Sequence, residues 1–385
     1  MAIVLVHVWL FTGGFGGFDA TLPNRALVRL DGLVAIFFLL SAFLLYRPMI
    51  ARRAGGPPKP PVTGYAQARF LRIYPAYWVA LTALAIVPGL FGVFSDKWWT
   101  FYSLGYYLDP LFAGSDCPSD EGPACGLAQT WTLTVEVTFY AILPLYALLT
   151  ARLARGRDVR SWMRAELLLL AALAALSMFL NGPPLSLRDE LWFKFTFASH
   201  FYWMALGLAL AVLSVGYWRT QALPRPLQLA ASRPGACWAV AGAIYVGTMF
   251  FFLPVPFSIA PYTDPEYLAL NVAQGVGAAL LLIPVVFGNP NRGVAARVLT
   301  NPVVAWLGLV SYGLFLWHFT IAYYLGYGGA DAGFAPVAVL TFALAIPLAA
   351  ASYYLIEAPL MRLKYRRLRD ALQRRPRGPA SGEAL

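Results

Sequence analysis

The chain has 385 residues, 59% of them hydrophobic and only 12% charged, with a mean hydropathy of +0.63. Soluble domains carry roughly 25% charged residues, so the polar surface is too small for a water-soluble body, and the same numbers exclude intrinsic disorder. Three cysteines exclude a disulfide-stapled secreted scaffold, and the net charge of +11 raises nucleic acid as a partner until the charges are located.

Ten apolar stretches follow one another along the chain. They are Met1–Phe11, Leu33–Tyr46, Tyr74–Phe94, Trp131–Leu149, Leu167–Leu180, Ser199–Val215, Ala236–Leu253, Tyr267–Phe287, Val303–Leu325 and Phe334–Ile356. A spanning helix needs about 17–25 residues, so several must borrow polar residues at their ends. The first is short, and no basic n-region or A-x-A site marks it as a signal peptide. The expectation is a first helix that begins upstream of Met1 or is truncated. The fold class is therefore all-α: a polytopic integral membrane bundle of about ten transmembrane helices over residues 1–360. Residues 361–385 form a basic tail expected to be disordered.

The basic residues alternate with the loops. The loops after the second, fourth, sixth and eighth stretches, together with the tail, hold 24 of the 29 Lys and Arg. The opposite loops hold twelve of the 18 Asp and Glu. Lys and Arg mark the cytoplasmic side, which puts both termini in the cytoplasm and makes the +11 a matter of topology. No nucleic-acid partner is expected, and attraction to anionic membrane lipid accounts for the tail. Cys117 and Cys125 share an acidic loop, where a disulfide would stiffen the segment. No histidine or third cysteine accompanies them, so no metal is expected.

Ionisable residues at membrane depth are costly and are functional candidates. Two carboxylates, Glu136 and Glu357, fall in or against a span, and all three histidines, His7, His200 and His318, fall within spans. Counting along the spans brings His7, Glu136 and His318 toward one half of the bilayer. His200 reads more simply as a packing residue. Arg69-x-x-Arg72 stands at the start of the third stretch. Residues three apart share a helix face, helix starts favour anions, and two guanidinium forks suit phosphate. The competing reading is ordinary positive-inside anchoring, with Tyr74, Tyr77 and Trp78 as an interfacial belt.

These segments resemble, in order and over nearly the whole chain, the membrane-bound acyltransferase-3 family of bacterial O-acyltransferases. His7 matches its first-span histidine. Phe37–Leu44 is similar to FFxLSGF, Arg69–Trp78 to RxxRIxPAYW and Trp131–Tyr140 to WSLxxExxFY. Ser311–His318 resembles SYxLYLWH, and Ser352–Pro359 resembles SYxxIExP. Departures are Ala42 for glycine, Ala35 where many members carry an acid, Thr132 for serine and Val137 for a second acid. The family's arginine eleven residues before the histidine would precede Met1.

The resemblance implies transfer of an acyl group, foremost acetyl, from a cytoplasmic acyl-CoA to a hydroxyl. The acceptor class stays open among glycan, glycolipid and small secondary metabolite. His7 would be general base or a transiently acylated relay, and Glu136 would orient the imidazole or stabilise its cationic form. Arg69 and Arg72 would hold the donor phosphates of acetyl-CoA. Trp131, Tyr140, Ser311, Tyr312, His318 and Glu357 would line the substrate path. The resemblance also implies a bacterial plasma membrane. A transporter or flippase without covalent chemistry is the rival class, since buried charges also mark permeation paths.

Overall fold

The computed structural model describes residues 1–14, 21–56, 61–108, 125–252, 262–288, 297–298, 300–327 and 333–362. Buried and outward residues follow the helical period throughout. In Leu33–Ile50 the residues Ala35, Phe38, Leu39, Ala42, Tyr46 and Met49 face inward, while Phe37, Leu40 and Leu44 are exposed. Both faces are apolar, so the outer one suits lipid, and the helix keeps every backbone hydrogen bond within itself.

The helices, numbered along the chain, are α1 (Ala2–Trp9), α2 (Leu22–Arg29), α3 (Leu33–Ile50), α4 (Val62–Leu84), α5 (Trp98–Ser103), α6 (Trp131–Ala154) and α7 (Val159–Asn181). They continue as α8 (Leu191–Lys194), α9 (Phe197–Thr220), α10 (Arg225–Ser232), α11 (Pro234–Phe251), α12 (Asp264–Phe287), α13 (Pro302–Tyr327) and α14 (Phe334–Ser352). Among the described residues nine helical segments are long and apolar enough to cross a membrane, and Ala2–Gly13 is a tenth, shorter apolar helix. This is an integral membrane helix bundle.

Caps set several starts. Asp158 accepts from the amides of Arg160 and Ser161, and Thr263 with Glu266 forms a capping box ahead of α12. Asp158 starts α7 two turns before Leu167, which draws Glu166 into the helix at 2% exposure. The expectation of only two carboxylates in or against a span is thereby corrected to include Glu166. Likewise α4 begins at Val62, not near Tyr74.

Two apolar clusters organise the bundle. One joins α3, α6, α7, α9 and α12; the other joins α1, α4, α13 and α14. Glycines let the helices approach closely in each. A Cβ on Gly207 of α9 would stand 2.1 Å from the Leu39 carbonyl oxygen of α3, and one on Gly313 of α13 would stand 2.8 Å from the Ala349 backbone of α14. The Ala42 side chain lies 2.9 Å from that same Gly207 position. The small residue that α3 forgoes at Ala42 is thus supplied by the facing helix. Tyr140 of α6 packs against both clusters and marks the seam where the polar residues gather.

Candidate active site

The first polar group lies between α1 and α13. Val4, Val8 and Phe11 bury one face of α1 and the turn that follows it, and this packing presents His7 to α13. His7 Nδ1 lies 2.8 Å from His318 Nε2, and His318 Nδ1 lies 2.9 Å from the Leu314 carbonyl oxygen. His318 is fully buried, whereas His7 is only partly so. Phe319 closes edge-on against the His7 ring at 4.8 Å, and the Trp9 indole N–H donates to Asn24 Oδ1 at 2.8 Å, tying α1 to α2. The two histidines expected to approach each other therefore do so.

Glu136 belongs to a second group. Its Oε1 accepts from Ser41 Oγ at 2.6 Å and from the Tyr140 hydroxyl. Arg69 and Arg72 are within electrostatic reach of it. The atom against His7 Nδ1 is His318 Nε2 rather than a Glu136 oxygen, so the hydrogen bond expected from Glu136 is made at that nitrogen by His318.

Arg69 and Arg72 lie seven and ten residues past Val62, about 10 and 15 Å along the helix. This corrects their placement at a helix start, since the dipole acts within the first turn. Arg69 is four residues from buried Tyr65, and Arg72 is four from buried Ala68 and Ala76, which keeps both toward the buried side. Their surroundings differ. Arg72 donates to Glu357 Oε2 at 2.7 Å and covers the Tyr312 ring at 5.7 Å. Tyr312 in turn donates to the Ile73 carbonyl at 2.8 Å. Arg69 covers the Tyr140 ring at 5.7 Å and, among the described residues, makes no ion pair and has a buried Nε without a hydrogen-bond partner. Glu357, 1% exposed, closes a π-type turn after α14, and its Oε1 also lacks a partner. Such turns recur at functional sites.

Other expected residues fall elsewhere. Ser311 is exposed and donates to the Gly308 carbonyl of its own helix at 2.8 Å, so it does not line the seam. Trp131 packs on Phe38, Phe195 and His200. His200 is buried, with Nδ1 3.2 Å from the Thr196 carbonyl oxygen, as a packing histidine would be. Cys125 is buried, while Cys117, and with it the disulfide expectation, lies outside the described residues, as do residues 363–385 of the tail. No three metal-ligating side chains converge among the described residues.

The sequence reading missed one buried network. Arg53 donates to Glu166 Oε2 at 2.7 Å and to Thr150 Oγ1 at 2.7 Å, and the Tyr46 hydroxyl bonds both Glu166 and Thr150. The capping Asp158, followed by Ser161, was the signal that could have placed Glu166 inside a helix. Every charge in this cluster is met, so it joins α3, α6 and α7 and leaves no group free for chemistry.

A bundle of apolar helices that keeps paired imidazoles and a paired guanidinium and carboxylate in its interior has the makings of a membrane-embedded enzyme. The chain matches the family model described as "Acyltransferase domain" over residues 1–355, and it belongs to that acyltransferase-3 family: it is a membrane acyltransferase. It is 26% identical over 355 residues to "Nodulation protein 10" of Rhizobium leguminosarum bv. viciae, an alignment covering 86% of this chain and 82% of the relative. No solved structure matches it.

Proposed function

We propose that the protein transfers an acyl group, with acetyl first among the candidates, from an acyl-CoA bound at its basic, cytoplasmic side to a hydroxyl of an acceptor approaching from the opposite side. The acceptor is a glycan, a glycolipid or a small secondary metabolite. The membrane is a bacterial plasma membrane with both termini in the cytoplasm, a reading supported by the loop charges. The observation that carries the donor assignment is the unequal charge balance of the arginine pair. The Arg72 charge is met by Glu357, whereas Arg69 has a buried nitrogen without a partner. A guanidinium among apolar helices that has no direct ion pair and an unsatisfied buried N–H favours an anion, and the donor phosphates supply one.

His318 is sixteen residues past Pro302 and Arg69 seven past Val62. With both helices entering from the basic side, this separates base and anion site by roughly 13 Å along the bundle, a distance for the extended thioester arm to cover. The acceptor hydroxyl gives its proton to His7 as its oxygen attacks the thioester carbonyl. The carbon–sulfur bond then breaks, and the proton passes to the departing thiolate.

Purified protein in detergent with radiolabelled acetyl-CoA tests this reading. Bound label, and thiol release above a protein-free control with water taking the acyl group in the absence of an acceptor, are expected, and His7→Ala should keep the bound label but lower thiol release at least about a hundredfold. Absence of donor binding, or full turnover by His7→Ala at matched thermal stability, would move the assignment to the transporter class.

A further inference from the structure

His318 is joined to His7 on one side and to a backbone carbonyl on the other, and this fixes the protons of both rings. A carbonyl oxygen can only accept, so the 2.9 Å contact of Leu314 O with His318 Nδ1 requires a proton on that nitrogen. A neutral imidazole carries one N–H and one lone pair. His318 Nε2 is therefore an acceptor, and the 2.8 Å contact to it requires the proton of His7 on Nδ1. The lone pair of His7 is then on Nε2, which makes no hydrogen bond among the described residues. The buried ring of the pair is the one anchored to the backbone, and the partly open ring is the one with the free base nitrogen.

We infer that His318 is a positioning residue: it locks His7 in the tautomer whose Nε2 is the base and shares the proton that Nε2 receives. The inference rests on the base role proposed for His7. When Nε2 takes the acceptor hydroxyl's proton, His7 becomes an imidazolium whose Nδ1–H points at the His318 Nε2 lone pair. Transfer of that Nδ1 proton to His318 leaves His7 neutral and makes His318 the cation, with its own Nδ1–H still on Leu314. The reverse transfer returns it, and Nε2 delivers a proton to the leaving thiolate, so the pair ends as it began. A carboxylate orients the imidazole in serine hydrolases. Here a second imidazole does so, and it keeps the resting pair uncharged at membrane depth, where a buried ion is costly.

With only three histidines, nitrogen-15 histidine labelling of the full chain in detergent reads the tautomers directly, with single-histidine variants giving the assignments. A proton on Nδ1 of both His7 and His318 is expected. A proton on Nε2 of His7 overturns the inference, and this reading needs no folded His318 variant. Kinetically, His318→Leu should lower kcat for acetyl-CoA, read as released thiol, at least about a hundredfold with an unchanged KM. His318→Gln should recover part of the loss, because its amide oxygen can accept the Nδ1–H but cannot carry the proton. Unchanged kcat in a folded His318→Leu, alongside an inactive His7→Ala, overturns the His318 role alone. Full activity in His7→Ala instead overturns the base on which it rests.

Discussion

Arg69 and Arg72 illustrate how little residue type decides by itself. They share a helix face three residues apart, yet among the described residues Arg72 is ion-paired with Glu357 at 2.7 Å, whereas Arg69 interacts with Glu136 only at longer range and keeps a buried Nε without a hydrogen bond. Removing Arg69 should therefore be felt in binding, and removing Arg72 in stability. Charge-assisted hydrogen bonds contribute about 1.5–3 kcal/mol, so Arg69→Gln should raise the Kd for acetyl-CoA about tenfold or more with an unchanged unfolding temperature. Arg72→Gln leaves Glu357 charged and buried without its partner, a loss of order 3 kcal/mol, reduced because a third of the Arg72 side chain is exposed. Glu357→Gln in the same chain should restore part of it. Titration with donor and thermal unfolding in detergent measure the two. Equal behaviour of the single variants would refute the division of roles.

Between elements, close packing depends on a few small residues. The helix contact of α3 with α9 requires that Gly207 have no side chain, because a Cβ there would meet a backbone oxygen at 2.1 Å, and backbone cannot step aside as a flexible side chain can. Small residues serve helix pairs in bilayers in this way, since apolar burial alone does not favour one helix over lipid. Gly207→Ala should destabilise by about 1–3 kcal/mol or more. Gly242→Ala, where a Cβ meets nothing within 4 Å, should be neutral or slightly favourable. Comparing the two unfolding midpoints in one detergent checks this. The Arg53–Glu166–Tyr46 network joins a different set, α3, α6 and α7, through polar contacts, an arrangement that periodicity does not reveal.

For the whole molecule, the proposed direction of acyl flow rests on the separation of charge between the two sets of loops. Exposed Glu190 lies on the acidic side and exposed Arg157 on the basic side. In a background lacking the three native cysteines, Glu190→Cys should react with a membrane-impermeant thiol reagent in intact cells, and Arg157→Cys only after permeabilisation. The reverse pattern would invert the proposed direction. Arg69, Glu136 and Tyr140 lie close together where the two apolar clusters meet.

Composition, charge alternation and helical period were enough to define a multi-span bundle, its order of helices and the short list of polar residues at depth, because lipid penalises every misplaced charge and so leaves few arrangements. Helix starts at Val62 and Val159 were less legible, since turns of mixed polarity precede the apolar runs. Of the partners, only the approach of His7 and His318 was legible. That His318 rather than Glu136 holds His7, that Glu357 takes Arg72 and not Arg69, and that Ser311 faces outward depend on how each helix is rotated about its axis. Rotation is set by contacts between segments up to 311 residues apart in sequence, and an apolar helix with no polar face carries no local signal of it.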